Sequence, residues 1–143
     1  MKGKKKLAVL ILYYDCEQFI LRTISNCGEF VDKIYVSYSP EPWIDYNRDA
    51  RKFYKNQANP NILSESEYIN KIELVSGIWK NEEDQRNECL TKAKESGFDF
   101  LIVQDADEFY TRESYSLNIT EMLANPEVDI FQTRWVIFCK NLN

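Results

Sequence analysis

The chain has 143 residues, 44% of them hydrophobic and 14% aromatic, which predicts a single globular domain over residues 1–143 and excludes a disordered chain. Its net charge is −5 even though four of its lysines lie within the first six positions, and so acidic a body argues against nucleic acid as a partner. The chain has no histidine, which excludes Ser-His-Asp and Cys-His catalytic groups and any zinc site with a histidine ligand.

The first apolar run, residues 7–14, predicts a buried strand and not an export signal or a membrane span. Its eight residues are too few to cross a membrane, and Asp15 follows where a signal peptide would have small residues. The cysteines are far apart and form no CxxC pair, which favours free thiols in a reducing compartment: Cys16, Cys27, Cys89 and Cys139. We therefore expect a cytoplasmic protein with no membrane span.

The next elements alternate between helix and strand. Residues 17–27 carry apolar side chains at helical spacing, and Gly28 can end that helix. Residues 34–38 predict a second strand, because this run is apolar and partly β-branched, and residues 71–76 predict a third, which Gly77 closes. Between them, residues 45–57 predict a surface helix.

A further helix begins after Asn81, which can cap its first turn, and ends before Gly97. One face of this helix is predicted to carry Arg86, Cys89, Leu90 and Ala93. Residues 98–104 predict a buried strand, residues 120–124 a short helix and residues 128–139 a last strand. This order predicts an α/β fold, a Rossmann-like and mostly parallel sheet with flanking helices and right-handed crossovers.

Two aspartates, Asp105 and Asp107, directly follow the strand predicted at residues 98–104. Side chains two apart on an extended backbone point to the same side, and carboxylates are hard ligands for Mg²⁺ or Mn²⁺. Ligands of open α/β sheets sit outside the carboxyl ends of the strands. The pair therefore predicts a metal site that can hold a diphosphate, with solvated acids at a strand end as the alternative; Glu108 is interpreted as a loop acid near the site.

Motifs in three places carry a family resemblance. They are residues 79–87 (Trp-Lys-Asn-Glu-Glu-Asp-Gln-Arg-Asn) with Leu90 and Ala93, residues 105–109 (Asp-Ala-Asp-Glu-Phe), and residues 10–15 (Leu-Ile-Leu-Tyr-Tyr-Asp) with Glu17 and Phe19. Together they resemble the donor-binding half of nucleotide-sugar glycosyltransferases of the GT-A fold, especially the inverting family-2 enzymes. In those enzymes an Arg-Asn helix precedes an apolar strand that ends in a DxD motif. The resemblance covers most of the chain and is weakest between residues 40 and 67.

The resemblance implies roles for five residues. Asp107 would be the direct metal ligand, and Asp105 would face the ribose or reach the metal through water. Tyr14 and Asp15 would lie against the nucleoside, and Arg86 would face the same cleft, near the phosphates or paired with an acid. The implied cofactor is Mn²⁺ or Mg²⁺, which would bridge the diphosphate of a nucleoside-diphosphate sugar donor.

Structural interpretations stay open beside these roles. Asp15 could serve only as a helix N-cap, and Arg86 could form a surface ion pair with a glutamate of its own first turn. Trp43 and Trp79 could belong to the core, which we expect, or line a sugar pocket.

The predicted function is metal-dependent transfer of a sugar from a nucleoside-diphosphate sugar to a hydroxyl acceptor, with inversion implied by the family resemblance. The chain departs from the family at residues 37–41 (Ser-Tyr-Ser-Pro-Glu), where an aspartate that contacts the base is usual, so no base is predicted. The family's catalytic carboxylate lies in the acceptor half and has no counterpart that can be mapped here. We therefore expect either a truncated GT-A fold, a fragment of a longer enzyme, or a minimal donor-binding domain. The alternative function is a non-catalytic nucleotide- or metal-binding module, or a fragment lacking the acceptor half.

Overall fold

The computed structural model describes residues 5–46 and 54–133. The chain divides into two compact units, Met1–Tyr110 and Thr111–Asn143. The first unit holds a sheet with two long helices, and the described part of the second holds one helix. The single domain predicted over residues 1–143 stays a prediction.

The sheet contains the strands of the first unit's described residues: β1 (Leu7–Tyr13), β2 (Lys33–Tyr38), β3 (Ile72–Ser76) and β4 (Phe100–Asp105). Their spatial order is β3-β2-β1-β4, and all neighbouring pairs are parallel. The α/β class and the parallel sheet predicted from the sequence are thus confirmed, and each predicted strand in this unit overlaps an observed one.

Helix α1 (Glu17–Gly28) connects β1 to β2, and its buried side chains repeat at helical spacing: Ile20, Thr23, Ile24 and Cys27. Gly28, which was expected to end the helix, is its last residue. The aromatic ring of Tyr68 packs where a side chain at position 28 would lie, so this glycine permits a close approach.

Helix α2 (Glu82–Glu95) begins and ends as the sequence predicts. The side chain of Asn81 accepts a hydrogen bond from the backbone N–H of Asp84 at 2.9 Å, and Gly97 adopts a positive φ of 73° just beyond the helix. Its buried residues are Gln85, Cys89 and Ala93, spaced four apart. The predicted face is wrong at Leu90, which is 51% exposed, while Gln85, which was not predicted on it, is buried in line with Cys89 and Ala93.

β1 is the centre of the core, since its residues from Ala8 to Ile11 are fully buried. Ala8 and Leu10 share one apolar cluster with Cys89 and Ala93 of α2. The intervening side chains point to the other face of the sheet, where a right-handed crossover places α1. Because the chain moves from β1 to β2 and β3 in one direction and then returns to β4 on the other side, the strand order reverses between β1 and β4.

β4 forms as predicted but is not buried. In the part of the chain that the structure describes, it lies at one edge of the sheet, and Gln104 is its only buried residue. Val103 is 41% exposed. An apolar run cannot by itself tell a central strand from an edge strand, because both bury at least one face.

Three further predictions need correction. The predicted helix at residues 120–124 is the end of a longer helix, α3 (Arg112–Ala124), which Thr111 caps by accepting from the N–H of Ser114 at 3.1 Å. Residues 128–133 contain no strand, and residues 134–139 lie outside the described part. Residues 45–46 and 54–57 are not helical, while the rest of that predicted helix lies outside the described residues. Among the helices described, none is both long and apolar enough to cross a membrane.

The cysteines that the structure describes are free thiols, as expected. Cys27 and Cys89 are buried, and Cys16 is half-buried; Cys139 lies outside the described residues.

Candidate functional site

The carboxyl ends of three strands lie level with one another. In the parallel register, Leu12 is paired with Asp105 and Tyr13 with Tyr38. The loops after these strands surround a cleft of about 490 Å³, a volume within the range of small-molecule sites. The cleft extends to the point between β1 and β4 where the strand order reverses, which is where open α/β sheets bind ligands.

The predicted acids lie in this cleft. Asp105 and Asp107 both line it, together with the carboxyl side chains of Asp15, Glu41 and Glu82. Asp107 is exposed and makes no hydrogen bond or ion pair with any residue that the structure describes. It is therefore open to bind a cation.

A tight turn follows β4 and shapes residues 105–110, which we call the acidic loop. The backbone N–H of Glu108 donates to the carbonyl of Asp105 at 3.0 Å, and the carboxylate of Glu108 accepts from the N–H of Asp105 at 3.0 Å. Glu108 therefore closes the turn with its own side chain. Burial raises the pKa of Glu108, the bond from the Asp105 N–H opposes the rise, and the neighbouring aspartates add to it.

Polar side chains of β4 and α1, which sequence reasoning missed, hydrogen-bond to the backbone of the acidic loop. Gln104, fully buried in β4, donates to the carbonyl of Glu108 at 2.8 Å. Asn26 of α1 donates to the carbonyl of Tyr110 at 2.8 Å and accepts from its N–H at 3.0 Å, and the Thr23 hydroxyl donates to the carbonyl of Ala106. The signal that could have found them is a polar residue at a position that the periodicity assigns to a buried face.

Arg86 forms an ion pair within its own helix, one of the interpretations that the sequence left open, and a second one with an acid that lines the cleft. Its guanidinium pairs with Glu82 at 2.5 Å within α2 and with Asp105 at 3.3 Å across to β4. It lies beside Asp105 but is not among the described residues that line the cleft. Burial raises the pKa of Asp105, the Arg86 charge opposes this rise, and Glu82 and Asp107 reinforce it.

The loop after β1 carries the other predicted residues, Tyr14 and Asp15, and both line the cleft. Asp15 has a positive φ of 48°, and its carboxylate accepts from the N–H of Gln57 at 2.6 Å. It is not the N-cap of α1, because Cys16 occupies that position without a side-chain cap. The Tyr14 hydroxyl donates to the carbonyl of Tyr54, and burial, followed by the Asp15 charge, raises the pKa of Tyr14 to about 12.

Asn56 fastens residues 54–59, which we call the strap, to the ends of β1 and β2. Its side-chain carbonyl accepts from the N–H groups of Asp15 and Ala58 at 3.0 and 2.9 Å. Its side-chain amide donates to the carbonyls of Ser39 and Tyr13 at 2.8 and 3.3 Å. The amide thus uses two donors and two acceptor sites at once, the full capacity of an asparagine.

Two tryptophans make similar bonds in different surroundings. The Trp43 indole N–H donates to Gln85 at 2.7 Å, and the Trp79 indole N–H donates to Glu88 at 2.7 Å. Trp79 is buried, as expected for a core residue, whereas Trp43 is half-buried and lines the cleft. The expectation that both tryptophans belong to the core therefore needs correction at Trp43, which packs against the core from the cleft side.

The carboxylates of Asp105 and Asp107 suit a hard divalent cation. The residues that the structure describes contain no group of three or more histidine, cysteine, aspartate or glutamate side chains placed to hold a metal. A pair of carboxylates, one of them unpaired, fits a hard cation such as Mg²⁺, which proteins bind through one or two carboxylates together with water and ligand phosphates. The donor set therefore fits a metal whose coordination a bound ligand completes.

The described part of the first unit defines a class: an α/β protein with a Rossmann-like parallel sheet and an acidic cleft where the strand order reverses. Comparison with known protein families, with curated proteins and with solved structures finds no match for the chain. Its function is accordingly inferred from the cleft.

Proposed function

We propose that this chain binds a nucleoside-diphosphate sugar through Mn²⁺ or Mg²⁺ and forms the donor-binding part of a glycosyltransferase with a GT-A type fold. One observation carries the proposal: Asp105 ends the strand next to β1 at the reversal point, Asp107 lies in the turn that follows, and both line one cleft with Tyr14 and Asp15. Position, ligand chemistry and cleft volume all suit a nucleotide there.

The acids can hold the cation from one side while the diphosphate holds it from the other. Asp107 would be the direct ligand, since its carboxylate has no partner among the described residues. Asp105 would contribute directly or through water, and its ion pair with Arg86 keeps its carboxylate in place at the end of β4. When bound, the metal would neutralise charge on the departing diphosphate.

The proposed reaction is a substitution at the anomeric carbon of the sugar. The bond from that carbon to the diphosphate oxygen breaks, and its electron pair leaves with the diphosphate. The oxygen of an acceptor hydroxyl forms the new bond and gives its proton to a base, which in the resembling enzymes is a carboxylate of the acceptor half. Attack from the face opposite the leaving group inverts the anomeric configuration.

The test is a thermal-stability series with nucleoside diphosphates, each with and without Mn²⁺. A ligand that binds only the folded chain raises the melting temperature by mass action, and at one hundred times its Kd the rise is about 5–10 °C. We expect a rise that needs both the nucleotide and Mn²⁺, and expect Asp107→Asn to abolish it.

The matched control is Asp84→Asn, which removes an exposed aspartate outside the cleft lining. It should leave the shift unchanged. Absence of a shift with every nucleotide would overturn the donor-site proposal. A shift without sugar transfer to any hydroxyl acceptor would instead support a non-catalytic nucleotide- and metal-binding module.

A further inference from the structure

The cleft is lined by two chemically different sets of side chains. Asp105 and Asp107 are carboxylates, and Trp43, Tyr46 and Tyr54 are aromatic. A carboxylate repels a phosphate, so phosphates belong beside the two aspartates only with a cation between them. The aromatic side chains suit an uncharged planar group.

Trp43 is held so that its ring stays at the wall of this cleft. It packs against the apolar cluster that contains Leu10 and Cys89. Its indole N–H is fixed at 2.7 Å by the side-chain oxygen of Gln85. An aromatic ring that is fixed before a ligand arrives loses little conformational entropy on binding.

Gln85 is itself fixed from the sheet side. It is 4% exposed, and its side-chain amide donates to the hydroxyl of Ser37 in β2 at 2.9 Å. A relay of hydrogen bonds therefore runs from β2 through Gln85 to the indole of Trp43. A buried glutamine on the apolar face of a helix is costly unless its amide is paired, and here both ends of the amide are used.

We propose that Trp43 is the stacking platform for the planar base of the bound nucleotide and that Gln85 is its positioning residue. The inference rests on the proposed function. It orients the ligand, with the base against Trp43 and the diphosphate at Asp105 and Asp107. Stacking is tolerant of the base because every nucleobase presents a flat π-face, so the platform confers affinity for all bases.

The first experiment is saturation-transfer NMR on the wild-type chain, with adenosine, guanosine, cytidine and uridine and with their diphosphates plus Mg²⁺, which is diamagnetic. We expect the strongest transfer to the base protons in every case. Strongest transfer to the ribose protons would overturn the platform, because the sugar would then face the aromatic wall. Absence of binding by nucleosides and diphosphates alike would overturn both this inference and the proposed function.

The second experiment measures affinity for nucleoside diphosphates in three variants. Trp43→Ala should weaken binding about tenfold or more, and Trp43→Phe should weaken it less because a flat ring remains. Trp79→Phe is the matched control, since it removes an indole N–H bond of the same length outside the cleft, and its affinity should equal that of the wild type. Equal affinities for Trp43→Ala and Trp79→Phe would overturn the platform while leaving the metal-dependent site intact.

The role of Gln85 is tested by Gln85→Leu, which keeps the size of the side chain and removes the bond to the indole. We expect weaker binding of diphosphates and a shift of the Trp43 indole N–H resonance in the free protein. A change in melting temperature with unchanged affinity for diphosphates and an unchanged Trp43 indole N–H resonance would show that Gln85 contributes only to packing.

Discussion

The loops after β1 and β4 both line one cleft, but their carboxylates are held differently. Around the β1 loop, Asp15 and the Asn56 amide are paired with backbone groups. In the β4 loop, Asp107 has no partner among the described residues, and the pKa of Asp105 is raised chiefly by burial. Backbone groups of both loops are hydrogen-bonded, so the loops differ in their acids: the Asp15 carboxylate is paired, whereas the Asp107 charge is unpaired among the described residues and adds to the rise in the pKa of Asp105.

This difference suits the two loops to different roles: the β1 loop to fixing the shape of the cleft, and the β4 loop to binding a cation. A loop whose polar side chains are already hydrogen-bonded gains little stability from a ligand, so it is suited to hold the wall of the cleft in place. A loop with unbalanced carboxylates is stabilised when a cation arrives, so it is suited to bind one. Three predictions test the comparison.

The largest expected effect comes from removing Asn56, because the strap depends on its amide. Asn56→Ala leaves four backbone groups without their partner, and we expect the free energy of unfolding to fall by about 2–4 kcal/mol. Urea denaturation measures this loss.

The control for that prediction is Asn59→Ala in the same strap. The Asn59 side chain only accepts from the N–H of Asn61, at 3.0 Å, so its loss should cost about 1 kcal/mol or less. Equal losses in the two variants would mean that the β1 loop is no more firmly held than an ordinary turn.

A second prediction concerns the thiol of Cys16, which lines the cleft between the two loops. Burial raises its pKa from 9.0 to about 11, and the charges of Asp107, Asp15 and Asp105 add to the rise. At pH 8 its thiolate fraction is then about 100-fold lower than that of an unperturbed thiol, because each pH unit changes the fraction tenfold. Alkylation followed by peptide mass spectrometry should be correspondingly slow and should accelerate as the pH rises towards 11.

The same shift has a consequence for stability. Since the folded chain holds this proton more tightly than the unfolded chain, the stability contribution is complete below pH 9 and is lost as the pH rises through about 11. Asn56→Ala should speed the alkylation of Cys16 at pH 8 by releasing the strap. A rate at Cys16 that the variant leaves unchanged would show that the strap does not shield the cleft.

The sequence predicted the sheet and the acids better than the polar contacts that hold them. Apolar runs and capping residues are local signals, so β1, α1 and the start of α2 at Asn81 followed from them. The strap did not, because residues 54–59 form no helix or strand and are held by bonds that Asn56 makes to backbone groups distant in the sequence. Gln85 was missed because its burial depends on two partners, Ser37 and Trp43, that are more than forty positions away.

The smallest expected effect on stability lies at Arg86, and it tests the β4 loop. Arg86 and both of its acidic partners are more than a third exposed, so Arg86→Gln should change the free energy of unfolding by less than about 1 kcal/mol. Its electrostatic effect should be clearer, because the Arg86 charge is what opposes the rise in the pKa of Asp105. Removing that charge should raise the pKa of Asp105 further, which a titration of its carboxyl carbon by NMR would show. Lys33→Gln, which removes a cation paired with Glu73 at 3.0 Å, is the matched control and should leave Asp105 unchanged. If the pKa of Asp105 were the same in both variants, the Asp105 carboxylate would not be coupled to the Arg86 charge. The difference between the paired acid of the β1 loop and the acids of the β4 loop would then rest on burial alone.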